Sequence, residues 1–204
     1  MTNHDPWLSR LHNEYLLVKE YCANSTCVSY SASPLKKGLP PDRYLIKYAV
    51  KSIVEIDDQE IPVYGYEHLV LINLPHNYPM VSGPECKMAS NIWHPNIRHN
   101  GSHKGRICIN SKAMGAWLTL DMLIQHIGEM LQYKNYHAEN IQPYPEDTIV
   151  ARWVREIGEP NGFMNLRLGI TVDNRPLQKP SINWSSTRKK KIFIKPKSSQ
   201  FIAH

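Results

Sequence analysis

The sequence predicts an α+β fold in which one antiparallel sheet is covered by helices. Three observations support this fold class. Apolar residues recur at helical spacing from Trp7 to Val18, strand patterns follow them, and two further helical patterns come after residue 118. Strands that follow one another with short turns form an antiparallel meander. Because one face of such a sheet must be buried, we expect the flanking helices to pack against it.

The first helix should begin at Asp5-Pro6, because Asp is a good N-cap and Pro lacks an N–H that would be unpaired there. It should end near Cys22. Four strands are predicted next, and the second of them is long because its apolar residues keep alternating. The predicted strands are residues 26–32, 43–56, 66–74 and 85–89.

Two helical patterns complete the predicted core. One runs from Thr119, as its N-cap, to about Gln132. The other starts at Pro145-Glu146-Asp147 and is stopped by Gly158 and Pro160. Its inward-facing residues are predicted to be Ile149, Val150, Trp153 and Ile157. We therefore expect a domain of residues 1–157, followed by an extension of residues 158–204.

The extension differs from the domain in charge. Residues 1–157 hold 15 Lys and Arg against 16 Asp and Glu, whereas residues 158–204 hold 9 against 2. Apolar residues alternate strictly from Met164 to Val172, which is typical of a half-buried strand, and the apolar run within residues 191–195 is its possible partner, so the extension is predicted to contain a strand pair. Its basic surplus is expected to steer an acidic partner.

The four cysteines, Cys22, Cys27, Cys86 and Cys108, lack the paired spacing of a disulfide framework or zinc ribbon. The sequence also shows no signal peptide and no apolar run long enough to cross a membrane. We therefore expect a cytoplasmic protein that does not insert in a membrane.

Cys108 lies in a short apolar frame between two polar loops. A thiol is chemically useful when it is reachable and can be deprotonated, and polar, flexible surroundings offer both. Asn96 lies 12 residues upstream, on a loop that can fold back over the thiol. An amide in that position can donate a hydrogen bond to an oxyanion. Cys108 is therefore the candidate nucleophile.

Four segments carry a family resemblance in their order along the chain: Tyr78-Pro79, His94-Pro95-Asn96, Gly105-Arg106-Ile107-Cys108-Ile109 and Trp117. In these segments the chain resembles the ubiquitin-conjugating enzymes, and it is similar to the bacterial proteins of that type found in ubiquitin-like conjugation operons, including those of antiviral defence. The resemblance implies the ubiquitin-conjugating fold, a four-stranded meander packed by helices. It also implies an enzyme, a cysteine acyltransferase without cofactor or metal.

The resemblance further implies the roles of single residues. Cys108 would accept a ubiquitin-like modifier as a thioester from an activating enzyme, which docks on the first helix. The acyl group would then pass to a lysine of a target protein. Asn96 would stabilise the oxyanion, and Glu139, with His137 as a substitute, would help to deprotonate the lysine.

The chain departs from the family pattern in three places. Residues 98–104 lengthen the distance between Asn96 and Cys108, which puts the reach of the Asn side chain in question. Asn110 stands where an Asp is common. The Ser-Pro-Ala that usually follows Trp117 and contacts ligases is missing, so ligase docking in the usual manner is not expected.

Other interpretations stay open on the sequence alone. The same fold can serve as a non-catalytic module that binds ubiquitin-like proteins. The basic extension is consistent with nucleic-acid binding, although no recognisable reading motif accompanies it. His94, His99, His103 and Cys108 are possible zinc donors, but their spacing matches no known finger. A cysteine peptidase is a further alternative, without an evident orienting pattern.

Overall fold

The computed structural model describes residues 5–34, 36–109 and 119–166. Helix α1 precedes six strands, and helices α2 and α3 follow them. The elements are α1 (Pro6–Ala23), β1 (Val28–Ser33), β2 (Arg43–Tyr48), β3 (Ser52–Ile56), β4 (Pro62–Gly65), β5 (His68–Asn73), β6 (Glu85–Met88), α2 (Leu120–Leu131) and α3 (Thr148–Trp153). A π-helical turn, Val154–Gly158, continues α3. The predicted α+β class is confirmed.

The main sheet is antiparallel and has the strand order β1-β2-β5-β6. Its register places Ile46 opposite Val70 and Val70 opposite Met88, so apolar side chains from neighbouring strands share one face. All three are buried. Helix α2 packs closely on this face, since a Cβ on Gly128 would come within 3.2 Å of the Tyr48 ring. The sheet thus has the covered face that the sequence predicted.

The predicted long strand over residues 43–56 is wrong. The structure has two strands there, β2 and β3, and β3 pairs with the unpredicted β4 in a separate two-stranded sheet. The chain leaves the main sheet after Tyr48, where the Ala49 N–H donates to the Cys27 carbonyl and the Val50 carbonyl faces the buried His68 ring. The first contact is the last bond in register with the β1–β2 ladder, and beyond it the chain turns into the hairpin of β3 and β4.

The start of α3 also differs from the prediction. The helix begins at Thr148, and the Asp147 side chain caps it by accepting the N–H groups of Ile149 and Val150. Pro145 lies outside the helix. Ile149, predicted to point inward, is 51% exposed, whereas Val150 and Trp153 are buried as expected.

The start of α2 is held by a residue distant in sequence. Thr119 occupies the N-cap position, but its side chain makes no capping hydrogen bond. The Leu120 N–H instead donates to the Glu14 carboxylate at 2.7 Å. Glu14 is fully buried and also accepts the Tyr78 hydroxyl and pairs with Arg10 at 2.6 Å each. One carboxylate therefore joins α1, the loop after β5 and the start of α2.

A second apolar cluster lies apart from the main sheet. It contains Trp93 before the Cys108 loop, Val150 and Trp153 of α3, and Leu166 near the end of the described residues. The described part of the predicted strand at residues 164–172 contains no strand. The rest of it, the second pattern at residues 191–195, Asn110 and Trp117 lie outside the described residues.

Candidate active site

The loop between Asn96 and Cys108 folds back on itself. Ile97 forms a β-bridge with Ile107, and the Gly105 N–H donates to the Arg98 carbonyl at 2.8 Å. The two ends of the loop therefore lie side by side. As a result, the Cys108 N–H donates to the Asn96 carbonyl at 2.9 Å. The extra residues form a closed hairpin and do not separate the backbones of Asn96 and Cys108.

Gly105 lets this hairpin lie against the edge of the sheet. Its carbonyl accepts the Met88 N–H at 2.8 Å, and its φ of +86° lies in the left-handed region. A Cβ at this position would come within 2.5 Å of the Met88 carbonyl oxygen. Any other residue would push the hairpin off β6, so the glycine sets the position of the Cys108 frame.

Cys108 is half-buried, and the other cysteines have surroundings that suppress reactivity. Burial raises the pKa of Cys22 to about 11. Burial, with a contribution from Glu85, raises the pKa of Cys86 to about 12. Cys27 is 4% exposed. Because the thiolate is the nucleophile, none of these three suits attack on a large substrate at neutral pH.

The Asn96 side chain is held by the loop after α2. Its Oδ1 accepts the His137 N–H at 2.9 Å, while its own backbone N–H donates to Nδ1 of His94 at 3.2 Å. The amide oxygen is thus occupied by a backbone donor. The Nδ2 group is the part of the side chain that can donate, and donation is what an oxyanion needs from it.

His137 and Glu139 lie beside this contact. The His137 Nδ1 is 3.0 Å from the Glu139 Oε2, and its Nε2 is 3.1 Å from the Ile141 carbonyl. The Glu139 side chain is 63% exposed. The structure therefore brings Asn96, His137 and Glu139 together, with the carboxylate open to solvent.

His94 has a supporting place in the site. It is fully buried and lies against the Tyr133 ring, with 4.7 Å between centroids. Burial lowers its pKa to about 3, and the Met130 carbonyl only partly offsets this effect. The ring is therefore neutral at pH 7 and accepts the Asn96 N–H. Within the described residues, no three His, Cys, Asp or Glu side chains come together as metal ligands would.

Asp147 connects α3 to the chain on both sides of Asn96. Its N–H donates to the Pro95 carbonyl at 2.9 Å. Its Oδ2 accepts the His99 N–H at 3.0 Å and lies 2.6 Å from the His99 Nδ1. Burial alone would raise the pKa of Asp147, but the hydrogen bonds from His99 and Val150 lower the pKa below its ordinary value.

Glu146 adds a second link between the hairpin and α3. Its Oε1 lies 2.7 Å from the Arg106 guanidinium and 3.6 Å from that of Arg98. The two arginines flank the paired ends of the hairpin. The carboxylates of two consecutive residues thus hold the hairpin against the start of α3.

Residues 54–149 match the family described as ubiquitin-conjugating enzyme. The chain has the ubiquitin-conjugating fold. The matched segment includes every candidate site residue from Asn96 to Glu139. It supports a function of the ubiquitin-conjugating kind, with a ubiquitin-like modifier and an activating enzyme as partners. A search of curated proteins finds no match to the chain.

On this fold, the predicted site residues Cys108, Asn96, His137 and Glu139 lie on two neighbouring loops. Asp147 and the role of His99 are not evident from the sequence. Asp147 was predicted only as part of a helix start, and His99 only as a possible zinc donor. Two sequence features could indicate this contact, a helix-capping Asp and a histidine in an unusually long loop. The two residues lie 48 positions apart, however, so no local pattern links them. No helix in the described residues is long and apolar enough to span a membrane.

Proposed function

We propose that the protein accepts a ubiquitin-like protein as a thioester on Cys108 and transfers it to a lysine amine. One observation carries the proposal. The backbones of Cys108 and Asn96 are hydrogen-bonded, and the Asn96 side chain is oriented by the His137 N–H. A half-buried thiol and an oriented amide donor therefore belong to one site.

In the first step, the Cys108 thiolate attacks the carbonyl carbon of the thioester on the activating enzyme. A new carbon–sulfur bond forms, the old one breaks, and the thiolate of the activating enzyme leaves. Sulfur leaves readily from a thioester, so the exchange needs neither a metal nor a nucleotide on this chain. No cofactor is part of the proposal.

In the second step, a lysine amine attacks the Cys108 thioester. The carbonyl oxygen becomes an oxyanion, which the Asn96 Nδ2 group stabilises. The amine loses a proton, the amide bond forms, and the Cys108 thiolate leaves. Glu139 supplies an exposed carboxylate beside the amine, which favours loss of that proton. Both His137 ring nitrogens face oxygens, so His137 holds Glu139 in place and Glu139 takes the role at the amine.

The proposed partners follow from the same fold. The activating enzyme docks on α1, whose outer surface includes Leu16 at 46% exposure. The modifier and a target lysine meet at Cys108. Ligase docking in the usual manner is not part of the proposal. A cytoplasmic setting, in a bacterial conjugation operon with a role in defence, is the context that the sequence resemblance favours.

The direct test is incubation with activating enzyme, modifier and ATP, read on a non-reducing gel. The wild type should form an adduct that dithiothreitol removes. Cys108→Ser should form a slower, dithiothreitol-resistant oxyester, because a hydroxyl is a weaker nucleophile and an alkoxide a poorer leaving group. Cys108→Ala should form none.

Cys86→Ser is the matched control, since Cys86 is also half-buried and lies outside the two loops of the site. It should charge as the wild type does. An adduct that persists in Cys108→Ala at the wild-type level contradicts the proposal. Binding of the modifier without any adduct on the wild type would favour the non-catalytic binding module instead.

A further inference from the structure

We infer that His99 and Asp147 are positioning residues that hold Asn96 in its working orientation. The inference rests on the proposed function, because it assigns a role within that site. It concerns the hairpin that makes this chain longer than the family pattern, residues 98–104.

The two oxygens of Asp147 have different partners. Oδ1 accepts the N–H groups of Ile149 and Val150, each at 3.2 Å, which is an ordinary helix cap. Oδ2 accepts the backbone and ring N–H groups of His99. A cap needs only one oxygen. The second oxygen therefore serves a separate contact, between α3 and the hairpin.

This contact fixes the chain on both sides of Asn96. On one side, the Pro95 carbonyl accepts the Asp147 N–H. On the other side, the His99 backbone N–H and ring Nδ1 both contact Asp147 Oδ2, and the ring contact, at 2.6 Å, is the shorter of the two. Asn96 lies between these two anchors, and its own side chain must reach the His137 N–H. Since Pro95 and His99 are tied to the same residue, Asn96 has little freedom to turn away.

The His99 ring is itself held in place. It lies against the Trp93 ring, with 4.8 Å between centroids, and its side chain is 17% exposed. The ring packing and the 2.6 Å contact from Nδ1 to Asp147 Oδ2 are separable by substitution. Asn places its Nδ2 where histidine has Nδ1, whereas Leu has a similar volume and no donor.

Three variants test the inference. His99→Leu removes the ring donor, and His99→Asn retains it. Asp147→Ser keeps a capping oxygen for α3, because Ser is a good N-cap, but its shorter side chain cannot also reach His99. Thermal unfolding of each variant shows whether the fold is retained.

The first measurement needs no partner protein. Hydrogen exchange of the peptide containing Cys108 reports on the bond from the Cys108 N–H to the Asn96 carbonyl. His99→Leu and Asp147→Ser should speed this exchange about tenfold, and His99→Asn should restore wild-type protection.

The second measurement uses a peptide with a C-terminal thioester to acylate Cys108, and then free lysine to remove the acyl group. His99→Leu should slow release to lysine about tenfold, with acylation nearly unchanged, because a misplaced donor affects the step with the oxyanion. His99→Asn should recover most of that rate. A merely structural role would slow both steps together.

Wild-type exchange and release rates in His99→Leu would overturn the inference. So would a His99→Asn variant that behaves like His99→Leu, since ring packing on Trp93 would then be the relevant contact. If the wild type forms no thioester at all, the proposed function fails. The exchange measurement still decides in that case whether His99 and Asp147 hold the loop.

Discussion

The Glu14 carboxylate at the start of α2 and the Asp147 carboxylate at the start of α3 both accept backbone N–H groups from distant segments. Glu14 accepts the N–H of Leu120, which follows Cys108 in the sequence. Asp147 accepts the N–H of His99, which precedes Cys108. Their surroundings differ. Glu14 is packed among residues of the main core, such as Leu11 and Leu120, whereas Asp147 adjoins the partly exposed His99 and the active loop.

This difference indicates two functions for the same kind of contact. Removing a buried carboxylate in the core leaves its donors without an acceptor, and the whole domain loses stability. Asp147 is equally buried, so its removal also lowers stability, but its donors belong to α3 and the active loop, so the placement of that loop changes as well. We therefore expect substitutions at Glu14 to affect unfolding alone and substitutions at Asp147 to affect transfer as well.

The largest effect on stability is expected for Glu14→Ala. The Leu120 N–H and the Tyr78 hydroxyl each lose this acceptor, and Arg10 loses its ion pair. The free energy of unfolding should fall by about 3 kcal/mol. Urea unfolding measures this change. The rate of lysine transfer per folded molecule should stay near that of the wild type.

Glu20→Ala is the matched control, because Glu20 is exposed on the same helix. It should change the free energy of unfolding by no more than about 0.5 kcal/mol. Equal losses of unfolding free energy in Glu14→Ala and Glu20→Ala would mean that the buried carboxylate is no more important for stability than the exposed one. A loss of lysine transfer in Glu14→Ala without a loss of stability would contradict the difference proposed between Glu14 and Asp147.

His94 shows that the active loop also contributes to stability, in a pH-dependent way. Burial lowers its pKa from 6.5 to about 3. Between these values the unfolded chain binds a proton at this residue and the folded protein does not. The free energy of unfolding therefore falls as pH falls from about 6.5 to about 3, by up to ~1.4 kcal/mol per pH unit from this residue.

The variant His94→Asn tests this contribution. Its Oδ1 replaces Nδ1 as the acceptor for the Asn96 N–H but does not titrate. Its stability should fall less steeply than that of the wild type between pH 6 and pH 4, as measured by urea unfolding at each pH. Parallel curves for the two proteins would mean that His94 is not held neutral in the folded state.

The sequence predicted the main sheet and the first two helices, because these depend on local patterns, whereas the site residues stay predictions that rest on the family resemblance. It did not reveal the break between β2 and β3, since apolar residues alternate across both strands while the backbone changes partners. It also suggested Thr119 as the cap of α2, whereas the Leu120 N–H uses Glu14, 106 residues away. Contacts of this range leave no local pattern.

The candidate site shows the same limit. Cys108 and Asn96 were recognisable from their motifs, but the length of the intervening segment left the reach of Asn96 undecided. Only the pairing of Ile97 with Ile107 shows that the extra residues form a hairpin. The bond from His99 to Asp147 depends on the packing of α3 against that hairpin, which the sequence does not encode locally.

The most direct test of the account is a single-turnover comparison of charging and discharge in Asn96→Ala. Asn100→Ala, an exposed position in the same hairpin, is the control. Asn96→Ala should charge nearly as fast as the wild type but release the modifier to free lysine ~10²–10³-fold more slowly, as expected for loss of one oxyanion donor. Asn100→Ala should match the wild type in both steps. An equal loss of both steps in Asn96→Ala, or an unchanged discharge rate, would contradict the account.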